Sequence, residues 1–180
     1  MTGTLHIESD VPDTSVFIDR VFLGTAPVTA DRLTPGSHQL NMSAAGYDGV
    51  SETIEVAAGT HDLSIRFKEI RLDARTDVVH KHALGACRGT LHATPQGLQY
   101  DTTDTKDGFT AALTDLETFE VDYLARTLTV KIRKGRSYTF TDPEGNVDRL
   151  FVFQRDVEKV RQRIIAGRTL SYPAASGAGR

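Results

Sequence analysis

The residue pattern predicts a mainly β chain: a small antiparallel β-sandwich, followed by a bent β-sheet or barrel that one C-terminal α-helix caps. Three observations predict it. Residues 1–70 alternate apolar and polar side chains in short runs broken by Gly and Pro, with no useful helical period. The charge balance changes at the same place, with 4 Lys/Arg against 10 Asp/Glu up to residue 70 and 17 against 14 after it. A helical period begins only near residue 146. The 180 residues are 39% hydrophobic, 25% charged and 7% aromatic, which suits one ordinary domain or two small ones with an adequate core and excludes a disordered chain.

In the first part, Leu5 and Ile7 alternate with Thr4, His6 and Glu8, and Ser9-Asp10-Val11-Pro12-Asp13 turns the chain into a second strand at Val16-Phe17-Ile18. Gly24-Thr25-Ala26-Pro27 and Leu33-Thr34-Pro35-Gly36 punctuate the next stretch, because Pro presets φ and Gly takes conformations other residues avoid. Strand resumes at His38–Met42, at Ile54 and Val56, and at Leu63–Phe67. About five strands in 70 residues make an antiparallel sandwich the economical architecture.

These residues resemble the PEGA domain over positions 3–69. The resemblance rests on Gly3-x-Leu5-x-Ile7-x-Ser9, on Val11-Pro12 before Val16-Phe17-Ile18-Asp19, on Gly24-Thr25-Ala26-Pro27, and on Leu33-x-Pro35-Gly36-x-His38 followed by Gly46-Tyr47. Asp13-Thr14 stands where Gly-Ala is usual, and Asp19-Arg20 where Asp-Gly is usual, which alters turn chemistry and not strand order. The resemblance implies a non-catalytic binding or spacer module.

Residues 71–76 are charged and lack Gly, Pro and Ser, so they read as a short connection that need not be floppy. The second domain is expected over 77–167. Val78–His82 opens it, and Thr94-Pro95-Gln96-Gly97 joins Gly89–Ala93 to Leu98–Tyr100 as a hairpin. Residues 101–108 read as a polar loop, and 109–113, 119–124, 128–132 and 138–141 as further strands, with Lys134-Gly135 at a hairpin tip. Asp142-Pro143-Glu144 signals a helix start that Gly145 delays to Asn146. From there Val147, Leu150, Phe153, Val157, Val160 and Ile164 recur at spacings of 3, 3, 4, 3 and 4, a stripe down one face of a helix over about 146–166 that Phe151 is expected to widen. Residues 168–180 have nothing to bury and are expected to be disordered.

Strands closed by one amphipathic helix resemble the pleckstrin-homology superfold and its bacterial, GRAM-like relatives over about 76–166. The resemblance rests on element order, with Gly89-x-Leu91, Gly97-Leu98-x-Tyr100, and Phe109 before Leu113-x-x-Leu116. That superfold hosts lipid, peptide and protein binding, so it implies a class of function and no ligand.

Lys131, Arg133, Lys134 and Arg136 put four cations on one hairpin, where an anion or phosphorylated headgroup could bind; a solvated strand face is the commoner use of such a run. His80, His82 and Cys87, with His92, come nearest to a metal-ligand set, since His80 and His82 share a strand face. Their spacing is irregular and no Cys pair accompanies them, so no metal and no cofactor are expected. Cys87 is a lone cysteine and closes no disulfide within the chain. No nucleophile elbow, His-Glu-x-x-His, phosphate loop or dinucleotide fingerprint occurs, so no enzyme is expected.

The sequence thus predicts a non-catalytic binding or scaffolding protein that recognises a protein or peptide, with anionic lipid or headgroup binding through residues 131–136 as the alternative. No nucleic-acid partner is expected. The start, Met1-Thr2-Gly3-Thr4-Leu5-His6, lacks the basic and apolar regions of a signal peptide, so a cytoplasmic location is expected for the chain as written.

Overall fold

Alternation in the first 70 residues resolves into seven strands: β1 (Gly3–Ser9), β2 (Ser15–Ile18), β3 (Val21–Thr25), β4 (Val28–Leu33), β5 (Gly36–Ser43), β6 (Val50–Val56) and β7 (Gly59–Ile65). The computed structural model describes residues 1–171. Two units divide the chain, Met1–Ile70 with the chain from Arg163 onward, and Arg71–Gln162.

In the first unit, β4-β1-β7 and β3-β2-β5-β6 form the two sheets. Leu5 and Ile7 of β1, Ala30 of β4 and Ile65 of β7 meet Val16 and Ile18 of β2 and Leu40 and Met42 of β5 in one core. Each large aliphatic side chain buried there contributes about 1.5–3 kcal/mol relative to exposure. β3 and β4 stand where the sequence shows only punctuated turns, because Pro27 lies between them and only Ala30 of β4 is buried, which weakens the alternation. β1 and β7 pair in parallel, in register from Gly3↔Gly59 to Ser9↔Ile65, an exception to the antiparallel rule of the other pairs.

The tight turn between β2 and β3 explains one departure from the PEGA pattern. Asp19 and Arg20 have φ of 49° and 70°, the left-handed pair that a two-residue hairpin with the right twist requires. The Asp19 carboxylate accepts the Gln39 backbone N–H at 2.9 Å and also bonds His38 Nδ1. The Gln39 backbone donor, then His38, hold Asp19 below the usual carboxylate range. His38 is 8% exposed, and its Nε2 donates to the Thr34 carbonyl at 2.7 Å. That carbonyl, then Asp19, raise the His38 pKa. Also within this unit, Arg163 donates to both Asp48 oxygens at 2.8 Å and lowers the Asp48 pKa.

The second unit contains β8 (Ala74–His82), β9 (Gly85–Thr94), β10 (Gly97–Thr102), β11 (Phe109–Ala111), a 3-10 turn (Leu113–Asp115), β12 (Leu116–Asp122), β13 (Thr127–Ile132) and β14 (Ser137–Thr141). They form one sheet in the order β11-β10-β9-β8-β14-β13-β12. The sheet is open, since β11 and β12 are its edges and do not pair, so the barrel alternative does not close. β8 starts at Ala74, inside the stretch expected as a connection, and β9 starts at Gly85, so a long β8–β9 hairpin precedes the one expected at 94–97. Tyr100 and Phe140, with ring centroids 4.8 Å apart, anchor an aromatic core that Tyr138 joins. Gly89 is required there: a Cβ would stand 2.3 Å from the Asp101 carbonyl oxygen and 2.6 Å from the Tyr100 ring.

Helix α1 runs Val147–Ser171, past the expected end near 166 and through residues 168–171 of the tail expected to be disordered; the rest of that tail, from 172, lies outside the described residues. Asn146 caps it by accepting the Asp148 N–H at 3.1 Å, while Asp142 instead organises the preceding turn through the Glu144 and Asn146 N–H groups. Leu150, Phe153, Val157 and Val160 are buried as the stripe requires. Phe151 does not widen that face; it is 39% exposed and packs on Tyr123.

Candidate functional site

β8 is only partly paired. β9 covers it from Ala74 to His82, whereas β14 meets it at two residue pairs alone, Phe140↔His80 and Thr141↔Val79. Right-handed twist and the departure of the chain after Thr141 toward α1 pull the two strands apart. Ala74–Val78 therefore presents an open strand edge about 16 Å long, at about 3.3 Å per residue. This edge borders a groove of about 1080 Å³, bounded on its other side by Asp142, Pro143, Glu144, Asn146 and the first three turns of α1. Val152, 44% exposed, gives the groove an apolar spot.

The groove is acidic. Asp73, Asp77, Asp142, Glu144, Asp148 and Asp156 line it against Arg75, Arg88 and Arg149. Two of those arginines are already engaged, Arg149 with Glu144 at 2.9 Å and Arg75 with Asp73 at 3.5 Å, and Asp156 pairs with Arg155. Asp77 accepts the Thr90 hydroxyl at 2.8 Å and Asp148 the Tyr123 hydroxyl at 3.2 Å, and among the described residues no Lys or Arg forms an ion pair with either.

The β12 edge of the sheet is closed to such use. Arg161 donates from Nε to the Leu113 carbonyl at 2.9 Å and from Nη2 to the Leu116 carbonyl at 2.7 Å. Gln154 donates to the Phe119 carbonyl at 3.1 Å. Helix side chains thus occupy acceptors along β12 that a pairing strand would need.

The four hairpin cations are exposed, and their contacts diverge. Lys131 lies 3.9 Å from Glu117, Arg133 reaches the Thr114 carbonyl at 3.5 Å, and Arg136 reaches the Lys106 carbonyl at 3.3 Å. Lys134 takes the hairpin tip with φ 57°.

His80, His82 and Cys87 do come together. His80 and His82 alternate onto one face of β8, and Cys87 is the cross-strand partner of His80. His82 Nε2 is 3.1 Å from Cys87 Sγ. His92 goes elsewhere, bonding Asp73 at 2.7 Å and lowering the Asp73 pKa. Asp107, unrecognised in the sequence, joins the cluster: its Oδ2 lies 2.7 Å from His80 Nδ1 and 3.4 Å from His82 Nε2. It comes from the polar 101–108 stretch, which gave no sign of folding back onto the β8–β9 hairpin.

Comparison with known proteins finds a family-model match within the first part of the chain. Residues 2–71 match the family model of the PEGA domain, which is not known as a catalytic domain. No family matches the second unit as a pleckstrin-homology or GRAM-like domain. No curated protein matches the chain. The crystal structure of the C-terminal domain of an unknown protein from Leishmania infantum is similar at 12% identity, over 54% of this chain and 85% of that one, with a TM-score of 0.34.

Proposed function

We propose that this chain is a non-catalytic recognition protein whose second unit binds an extended, basic peptide as an added strand along Ala74–Val78. The open β8 edge, bordering an acid-lined groove, carries the reading. Unpaired backbone groups supply affinity by strand addition, and side-chain spacing supplies selectivity. Asp77 and Asp148 complement Lys or Arg side chains of the peptide. The element order, a seven-stranded sheet followed by one helix, supports the pleckstrin-homology-like reading of this unit, and the PEGA match supports the absence of catalysis in the first.

Selection of a random ten-residue peptide library on the intact chain, followed by fluorescence anisotropy of the enriched peptides, tests this. Enrichment of Lys- and Arg-containing sequences is expected, with affinity that weakens as salt rises. Asp77→Asn or Asp148→Asn should each weaken binding about 1.5- to 5-fold, the range for exposed charge pairs. Enrichment of acidic sequences, or none, defeats the proposal. So does sedimentation with anionic vesicles that is lost on changing Lys131, Arg133, Lys134 and Arg136 to Ser while peptides fail to bind; that result favours the lipid alternative.

A further inference from the structure

We infer that His80, His82, Cys87 and Asp107 form a binding site for a divalent transition-metal ion of the zinc class. The site shares no lining residue with the peptide groove and does not depend on it.

The donor set is two imidazole nitrogens, one thiolate sulfur and one carboxylate oxygen, all ligands that zinc accepts. The fold brings them together from two directions. The β8–β9 hairpin projects His80, His82 and Cys87 from one face, and the position opposite His82 is Gly85, which has no side chain to fill the space. Asp107 enters from the connection between β10 and β11. The donor atoms of His80, His82 and Asp107 lie within 4.8 Å of one another, and Cys87 Sγ is 3.1 Å from that of His82. In a tetrahedral site with bonds of about 2.0–2.3 Å, donor atoms stand about 3.2–3.8 Å apart; the His82–Asp107 separation of 3.4 Å falls in that range, and Cys87, outside the three-residue group, turns in from beside His82 to complete the set.

Two features of the cluster call for a cation. The Asp107 side chain is 5% exposed, and its ion partners among the described residues are the two histidines, with no Lys or Arg. A buried carboxylate so placed needs positive charge beside it. Second, His82 Nε2 faces both Asp107 Oδ2 and Cys87 Sγ, yet it carries at most one proton. One N–H serves one of these acceptors well; a metal ion serves all three atoms.

The surroundings tune the site. His80 packs against Tyr138 and Phe140, with ring centroids 5.2 and 5.5 Å away, which fixes its ring. A cleft of about 300 Å³ beside the cluster gives access and is also lined by Asp104, Lys106 and Arg136. The two cations oppose the metal charge and Asp104 offsets them in part, so moderate affinity is expected. Burial, then Asp104 and Asp107, push the Cys87 thiol up.

The test uses tag-free, chelator-treated intact chain titrated with Co²⁺ by absorption and with Zn²⁺ by calorimetry. One ion per chain is expected, with a thiolate-to-cobalt charge-transfer band that Cys87→Ser removes. His82→Ala and Asp107→Asn should each weaken Zn²⁺ binding at least about tenfold. Because Asp107→Asn perturbs a buried position, the near-isosteric Cys87→Ser keeps the test decisive if that variant misfolds. No binding of either ion, a band that persists in Cys87→Ser, or unchanged affinity in folded His82→Ala overturns the inference.

Discussion

Replacing Arg161 by Met keeps an aliphatic stem against the core and removes the guanidinium that closes the β12 edge. That guanidinium donates to the Leu113 and Leu116 carbonyls at 2.9 and 2.7 Å, and the side chain is 18% exposed. Hydrogen bonds from a charged donor contribute about 1.5–3 kcal/mol each. Because the freed carbonyls regain some water, the loss should fall near the lower end, about 3–4 kcal/mol for the pair. With a urea m-value of about 2 kcal/mol/M, the midpoint of the second unit's transition should fall by about 1.5–2 M. Urea unfolding followed by circular dichroism reads the midpoint, and amide exchange locates the loosened strand. Glu158→Gln is the control: it removes the carboxylate charge that faces Arg161 at 3.0 Å and accepts the Gln162 amide, keeps an amide oxygen in its place, and should shift stability by less than about 1 kcal/mol. If Arg161→Met and Glu158→Gln lose the same stability, or β12 amides exchange no faster in Arg161→Met, the helix does not seal that edge.

Three further outcomes are expected. His38 has its folded pKa raised above the ordinary 6.5, so its contribution is full below about pH 6.5 and is lost as pH rises through the folded value. Asp19 is depressed below 3.8, so its contribution is present above that value and lost as pH falls through its folded value; His38→Gln should flatten the alkaline limb of the pH–stability curve. Gly89→Ala should destabilise by about 1–3 kcal/mol, since its Cβ meets backbone at Asp101, as thermal unfolding would show. Arg20→Gly should stabilise by about 0.5–1 kcal/mol in the same assay, because Arg20 sits at φ 70°; a loss of stability instead would mean the Arg side chain has an unrecognised role.

Much of the fold was legible because its periods are short and clean. Leu128 and Val130 alternate with exposed Lys131 as the β13 pattern required, and Leu150, Phe153, Val157 and Val160 bury the expected helical stripe. β3 and β4 escaped because their exposed residues blur the alternation, and Phe151 misled because an aromatic beside the stripe finds Tyr123 as readily as the core. The sites were harder. His80, His82 and Cys87 were visible as residues, but Asp107 completes them only through a loop whose path depends on tertiary packing. The groove had no local signature, since it arises where β8 and β14 part after two residue pairs.

Hydrogen–deuterium exchange of the intact chain with and without a saturating Lys- or Arg-containing peptide from the selection tests strand addition most directly. Slowed exchange should be confined to Ala74–Val78 and the groove wall, because an added strand pairs those backbone amides. Protection at β12 or at residues 131–136, with Ala74–Val78 unchanged, would contradict it.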